Sequence, residues 1–158
     1  MTLIIRLAEK IPTLSRVEFT ATQHLANDGG WDGRGKGHVQ CRVERLRPYP
    51  LMRLHEQGRF TPESTGRPHT FTNVFRLTWG DEKVSLHHER RGIDSAVWLF
   101  DLLPDANSSS RLITAQPHLC GQDTYEATLT SIEDDIVLQW DIRGPRKQAR
   151  LRYRYTRT

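Results

Sequence analysis

The sequence has no long hydrophobic run and only two cysteines among its 158 residues. No apolar stretch approaches the roughly 18 residues that a membrane-spanning helix needs, which argues against a helical membrane protein. The N-terminal segment MTLIIRLAEKIP is interrupted by Arg6 and has neither a basic start nor a small-residue cleavage site, so it does not match a secretory signal. We therefore expect a cytoplasmic protein with no membrane partner.

The two cysteines, Cys41 and Cys120, are too few for a disulfide framework. Thiols stay reduced inside cells, so the sequence favours two free cysteines over a disulfide. Cys41 lies in a run of alternating polarity and is predicted to be a small core residue, whereas Cys120 lies in a segment rich in turn-forming residues.

Composition indicates a folded protein, because 36% of the residues are hydrophobic and 27% are charged. The length predicts one domain covering residues 1–158, large enough to bury a core. The formal net charge of +4 is mildly basic and favours anionic partners.

Alternating polar and apolar residues recur in about ten short runs, separated by Gly, Pro, Asn, Asp and Ser, which is typical of β-strands. The clearest run, residues 33–43, alternates small or apolar side chains with polar ones. Its first three inward positions are glycines, which suit a sharply bent sheet or the close approach of another backbone.

One helix is predicted at the start of the chain, where Leu3, Ile4, Leu7 and Ile11 recur at helical spacing before Pro12. Such a short helix could close the end of a barrel. Consecutive strands without helices between them predict an antiparallel meander, and closure of the sheet removes its exposed edges. The predicted fold class is all-β, an antiparallel up-and-down β-barrel of lipocalin-like type with a short N-terminal helix; a β-sandwich is the alternative.

Three ionisable residues fall on the apolar faces of predicted strands: Glu56, His88 and Arg90. Burying such groups is costly unless they pair with each other, with water or with a ligand. An internal ion pair is the purely structural alternative. A barrel of eight to ten strands has room for one small molecule, so we predict that these residues line a ligand pocket.

The segment PHLCGQDTY, residues 117–125, invites three interpretations. His118, Cys120 and Asp123 are competent metal ligands, but their spacing matches no standard zinc pattern. Cys120 beside His118 could form an activated nucleophile, but no oxyanion hole is identifiable. A turn permitted by Gly121 and capped by Asp123 accounts for the segment equally well. We favour the turn, with no metal and no cofactor.

The segment GPRK, residues 144–147, is a predicted hairpin turn. Arg146 and Lys147 could be solvated, or they could form an anion clamp at the mouth of the barrel. In the C-terminal run the tyrosines alternate with Arg150, Arg152 and Arg154, so the tyrosines are expected in the core and the arginines on a solvated outer stripe. This geometry disfavours nucleic acid as the partner.

Seven segments, GWDGRGKG, LHEQGRF, FTNVFRLTW, VWLFDLLP, PHLCGQDTY, QWDIRGPRK and YRY, follow one another along the chain. With them the sequence resembles an uncharacterised family of small lipocalin-like barrel proteins, whose specific marks are H-x-C-x-x-D-x-Y and W-x-x-x-G-P-[RK]-K. The resemblance implies the barrel fold and, with Glu56 inside, a functional cluster at His118, Cys120, Asp123, Tyr125, Trp140, Arg146 and Lys147. It implies no reaction.

A second resemblance links GWDGRGKG to the opening of haem-binding nitrobindin-like barrels, in which a late histidine ligates iron. No histidine follows His118 in this chain, so haem is not predicted.

The leading prediction is a protein that binds a small polar or anionic molecule inside the barrel; the sequence leaves catalysis open and favours a binding protein over an enzyme. The predicted ligand-binding residues are Glu56, His88, Arg90, His118, Asp123, Tyr125, Trp140, Arg146, Lys147 and Tyr153. One alternative is a cofactor-independent enzyme of isomerase, cyclase or decarboxylase type, with Glu56 or His88 as the acid or base. The other is RNA binding through the basic outer face, and the sequence leaves the oligomeric state open.

Overall fold

A short helix precedes a meander of strands in the computed structural model, which describes residues 2–23, 32–89, 91–145 and 147–157. Helix α1 spans Leu3–Lys10, and short 3-10 helices lie at Ile11–Thr13 and Ile93–Ser95. The strands are β1 (Arg16–Gln23), β2 (Gly33–Arg45), β3 (Leu51–Pro62), β4 (His69–Trp79), β5 (Val84–His88), β6 (Val97–Pro104), β7 (Arg111–Thr114), β8 (His118–Cys120), β9 (Asp123–Ile132), β10 (Asp135–Arg143) and β11 (Gln148–Thr156).

The described strands form one antiparallel sheet that closes on itself. β1 pairs with β2 on one side and with β11 on the other, and β9 pairs with β10. The short strands β7 and β8 lie along successive parts of the same edge of β9, so the barrel has ten positions around its circumference. The predicted up-and-down barrel with a short N-terminal helix is confirmed.

Helix α1 covers one end of the barrel. Its side chains Leu3, Ile4 and Leu7 are buried, and the side chain of Thr2 accepts a hydrogen bond from the amide of Ile5 as its N-cap. The Lys10 ammonium donates a hydrogen bond of 2.7 Å to the hydroxyl of Ser131, which lies in β9. The helix is thereby fixed to the end of the barrel where β9 turns into β10, and this end is called the closed end below.

Beneath the helix the interior is apolar and tightly packed. A cavity of about 20 Å³ lies there, lined by Ile11, Leu54, Phe75, Leu77, Leu86, Leu102, Leu129, Ile136, Leu138 and Tyr155. A cavity of this size holds about one water molecule, and its apolar lining favours a dry space. Among the described residues, the closed end of the interior is therefore core, with space for about one water molecule.

Two glycines determine how β2 and β3 meet. Gly37 pairs with Gly58, and a Cβ atom at position 37 would lie 2.1 Å from the carbonyl oxygen of Gln57. A Cβ atom at position 58 would lie 2.0 Å from the carbonyl oxygen of Lys36. The backbones approach too closely for any side chain, which confirms the close approach that the glycine run predicts.

The opposite end, called the open end below, carries the loops after β3, β5, β8 and β10. The predicted functional segments 117–125 and 144–147 both lie at this end because β8, β9, β10 and β11 begin or finish there. No described helix is long and apolar enough to cross a membrane.

Candidate functional site

The carboxyl group of Glu56 lies inside the barrel, as the alternation of polar and apolar residues along this strand predicts. The residue is 2% exposed, and its Oε2 accepts a hydrogen bond of 2.5 Å from the hydroxyl of Tyr155. Its Oε1 accepts a second bond, of 3.3 Å, from the side-chain amide of Asn73. We call these three residues the Glu56 cluster.

The sheet register explains how Tyr155 on β11 reaches Glu56 on β3. Tyr155 pairs with Val17, Val17 with Gly37, and Gly37 with Gly58, two positions along β3 from Glu56. Neither of these two glycines, which lie in register between Tyr155 and Glu56, carries a side chain. Asn73 is the direct cross-strand neighbour of Glu56 on β4.

Burial raises the pKa of Glu56 from its ordinary value of 4.5 to about 7, because a charged carboxylate is poorly solvated inside the barrel. The hydrogen bonds from Tyr155 and Asn73 favour the ionised form and partly oppose this rise. Burial raises the pKa of Tyr155 well above its ordinary value, and the adjacent Glu56 carboxyl adds to that effect. Glu56 can therefore hold or release a proton near neutral pH.

Aromatic side chains fill the middle of the barrel. The ring of Tyr153 stacks on Phe19 at a centroid distance of 5.0 Å, and the ring of Trp140 lies edge-on to Phe100 at 5.4 Å. A Cβ atom at position 35 would lie 2.1 Å from the Phe19 ring, so Gly35 makes room for that ring. We call this group the aromatic layer; its members are Phe19, Phe60, Phe71, Phe75, Phe100, Trp140 and Tyr153.

Trp140 carries an unsatisfied hydrogen-bond donor. Its residue is 9% exposed, and its Nε1 has no hydrogen-bond partner among the described residues. Its strand neighbour Leu138 pairs with Leu129, which lines the cavity at the closed end, so Trp140 lies one step nearer the open end. A buried indole N–H without an acceptor is costly, and an acceptor group on a ligand would relieve that cost.

At the open end, the predicted turn in segment 117–125 is present. Gly121 has a φ of +64°, and the flanking residues Cys120 and Asp123 pair across the hairpin. The carboxylate of Asp123 packs against Gly144, where a Cβ atom would lie 1.9 Å from its Oδ1. Segments 117–125 and 144–147 therefore contact each other through Asp123 and Gly144.

The remaining predicted residues are placed as follows. His118 pairs with Tyr125, its ring lies 4.8 Å from that of Trp98, and it is half-buried. His88 is half-buried and pairs with Phe75 on β4, two positions from Asn73 of the Glu56 cluster. Arg90 and Arg146 lie outside the described residues. Lys147 is half-buried next to the β10–β11 turn.

The described residues contain no group of three His, Cys, Asp or Glu side chains that could hold a metal ion. Cys120 is exposed, and no hydrogen bond joins it to His118. Both cysteines are free, and burial raises the pKa of the Cys41 thiol to about 11, consistent with a residue packed against the core.

A buried ion pair between Arg53 and Glu89 is not predicted by the sequence. Glu89 falls on the polar face of its predicted strand, yet it is 5% exposed and its carboxylate accepts a hydrogen bond of 2.7 Å from Nε of Arg53. Arg53 also lies 3.4 Å from Glu44. Alternation along a strand identifies which side chains face outward from the sheet, but it does not show what covers that outer face. The sequence therefore does not distinguish the buried Glu89 from a solvated carboxylate.

Comparison with known protein families assigns the chain to one family. A family of unknown function, DUF6314, matches residues 16–157. The chain belongs to this family. The match covers all the described strands, from β1 to β11, and it confirms the predicted resemblance to a barrel family without an assigned activity. No curated protein matches the chain.

Proposed function

We propose that the barrel binds a small amphipathic molecule, polar or anionic at one end, between the aromatic layer and the open end. The observation that carries this proposal is the exposure of Phe19, Phe60 and Phe71. All three face inward by register, yet all are half-buried, whereas Phe75 and Phe100 are buried. Aromatic surface inside the barrel is thus accessible from the open end, and ligand pockets are typically apolar with a few polar groups.

The polar groups around this space support an amphipathic ligand. The unpartnered Nε1 of Trp140 offers a hydrogen bond to an acceptor on the ligand. His118 and Lys147 lie at the open end, where they favour an anionic group. The apolar part of the ligand would contact the aromatic layer, and the closed end, already packed, sets the depth of the site.

A dye test uses the aromatic anion 8-anilinonaphthalene-1-sulfonate, whose fluorescence rises in an apolar site. We expect saturable binding by one dye molecule per chain, and Trp140→Phe should weaken it about fivefold because one hydrogen bond is lost. The matched control is Trp79→Phe, since Trp79 is 2% exposed at the closed end and its Nε1 likewise has no hydrogen-bond partner among the described residues. No saturable binding, or an equal loss in both variants, would contradict the proposal.

A second candidate, a cofactor-independent enzyme, is favoured by one specific observation. The pKa of Glu56 is raised to about 7, which suits a general acid or base at neutral pH. Native mass spectrometry of the purified protein, before and after denaturation, would identify a co-purified molecule. If the chain converts that molecule and Glu56→Gln stops the conversion while binding persists, the enzyme is supported; binding without conversion leaves a carrier.

A further inference from the structure

A groove of about 580 Å³ lies on the outer face of β1, β2 and β3, away from the barrel interior. The backbone at Gly37 and Gly58 lines it, together with side chains that point away from the core. Its charged and imidazole residues are Arg16, Glu18, Arg34, Lys36, His38 and Arg59. The volume falls within the range of small-molecule sites in proteins.

The groove concentrates positive charge. Arg16, Arg34, Lys36 and Arg59 are permanent cations, and Glu18 is the one carboxylate among the lining residues. Within the described part of the chain, none of the four cations lies within 4.0 Å of a carboxylate. For comparison, the net charge of the whole chain is only +4.

The arginines of β11 show the opposite arrangement. Arg150 pairs with Asp141 at 2.8 Å, and Arg154 pairs with Asp135 at 2.5 Å. Arg152 donates a hydrogen bond to Gln139. This stripe, on which the RNA alternative depends, is therefore largely neutralised by the protein itself, whereas the groove is not.

The facing positions of Lys36 and Arg59 lower the stability of the free protein. The two residues are direct cross-strand partners on β2 and β3, and like charges in that position destabilise a sheet. Another pair of facing arginines, Arg53 and Arg76, has carboxylates at Glu89 and Glu44 to offset it. Glu18 on β1 faces Lys36 from the other side and offsets part of this repulsion. An anion bound between Lys36 and Arg59 would remove the rest.

The chemistry of the lining indicates phosphate. Guanidinium groups bind phosphate oxygens through two parallel N–H donors, and a lysine ammonium adds a mobile point charge. Neighbouring strands lie about 4.8 Å apart, so the cations on β1, β2 and β3 extend over about 10 Å, enough for more than one phosphate group. The lining contains no Phe, Tyr or Trp on which nucleic-acid bases would stack, which disfavours a single-stranded nucleic acid.

We propose that the outer groove binds a small molecule carrying two or more phosphate groups, held by Arg16, Arg34, Lys36 and Arg59. The site is separate from the interior site, since the strand wall lies between them. Binding there requires no opening of the barrel.

Calorimetric titration with inorganic pyrophosphate and with tripolyphosphate tests the groove. The double variant Arg34→Ala with Arg59→Ala should weaken binding of either anion about tenfold or more, because charge-assisted hydrogen bonds are lost. The matched control, Arg150→Ala with Arg152→Ala, removes the same charge from the outer face of β11 and should change binding less than about twofold. If the groove double variant fails to fold, the single variant Lys36→Met carries the same comparison.

Three results would overturn the proposal. The first is no binding of either anion at millimolar concentration. The second is an equal loss of affinity in the groove variant and the β11 control, which would show a general charge effect. The third is tighter binding of a single-stranded RNA oligonucleotide than of tripolyphosphate, with the same dependence on Arg34 and Arg59, which would assign the groove to nucleic acid.

Discussion

The hydroxyl of Tyr155 donates a hydrogen bond of 2.5 Å to the carboxylate of Glu56, although 99 residues separate them in the chain. The bond links the last strand of the barrel to the third, over the glycine pair that lies between them. It places a titratable group inside the protein with only two described hydrogen-bonding partners, Tyr155 and Asn73. The stability of the barrel should therefore depend on the protonation of this group.

The Glu56→Gln variant should be less sensitive to pH than the wild type. The pKa of Glu56 is about 7 in the folded protein against an ordinary 4.5, so the folded state binds more protons between these values. The wild type thus loses stability as pH rises from 4.5 to 7, by about 3 kcal/mol in total. Denaturant unfolding at pH 5 and pH 8 measures this: relative to the wild type, E56Q should gain stability at the higher pH. A constant difference would show that Glu56 does not titrate in this range.

The Tyr155→Phe variant should raise the pKa of Glu56 further, because the phenol hydrogen bond favours the ionised carboxylate. The free energy of unfolding should fall by about 1–3 kcal/mol at pH 8, where the carboxylate loses a donor, and by less at pH 5. The pKa itself can be followed by NMR of carboxyl-labelled glutamate. Tyr49→Phe is the control, since Tyr49 is exposed and, among the described residues, its hydroxyl donates one long hydrogen bond of 3.4 Å, to Asp81. A lowered pKa in Y155F would contradict the assignment.

The Glu89→Gln variant should lose far more stability than a comparable change at the surface. The Glu89 side chain is 2% exposed and its partner Arg53 is 15% exposed, so removing the carboxylate leaves a largely buried guanidinium without its nearest charge. We expect a loss of about 3 kcal/mol or more in the free energy of unfolding. Asp135→Asn, which breaks the exposed pair with Arg154, should cost about 1 kcal/mol or less. Equal losses in thermal or chemical unfolding would show that Glu89 is solvated in solution.

The Gly37→Ala variant should be strongly destabilised, because its Cβ would lie 2.1 Å from a backbone carbonyl that cannot move without shifting β3. A clash of this kind costs at least about 1–3 kcal/mol. At Gly80 the nearest atom to a new Cβ is 3.4 Å away, so Gly80→Ala should fold with nearly unchanged stability. Thermal melting of both variants makes the comparison, and a tolerated Gly37→Ala would mean that β2 and β3 separate more easily than the register implies.

The sequence predicted the barrel because the signals for it are local. Alternation placed Glu56, Phe75 and Tyr155 on inner faces, and helical spacing placed Leu7 in the core. The two turns at 117–125 and 144–147 were also predictable, since Gly121 and Pro145 identify them in the chain. Each of these predictions depends on residues that are close together in sequence.

The contacts within the site depend on register between distant strands, which alternation does not determine. Nothing local joins Glu56 to Tyr155 or places Asp123 against Gly144. His88 pairs with Phe75 and not with Asn73, the cross-strand neighbour of Glu56, and alternation along one strand does not determine that offset. The cluster of cations in the groove is not predictable for a similar reason, because Lys36 and Arg59 become neighbours only through the pairing of β2 with β3.

The pairing of β1 with β11 also has a consequence for how the protein is made. The register joins Arg16 to Thr156, so the edge of β1 has no partner until the final strand has left the ribosome. During translation the nascent sheet presents that free edge to its surroundings, and free edges recruit other strands. Contacts of such large sequence separation also slow folding. The newly synthesised chain is therefore prone to pair with other strands until β1 and β11 form their hydrogen bonds.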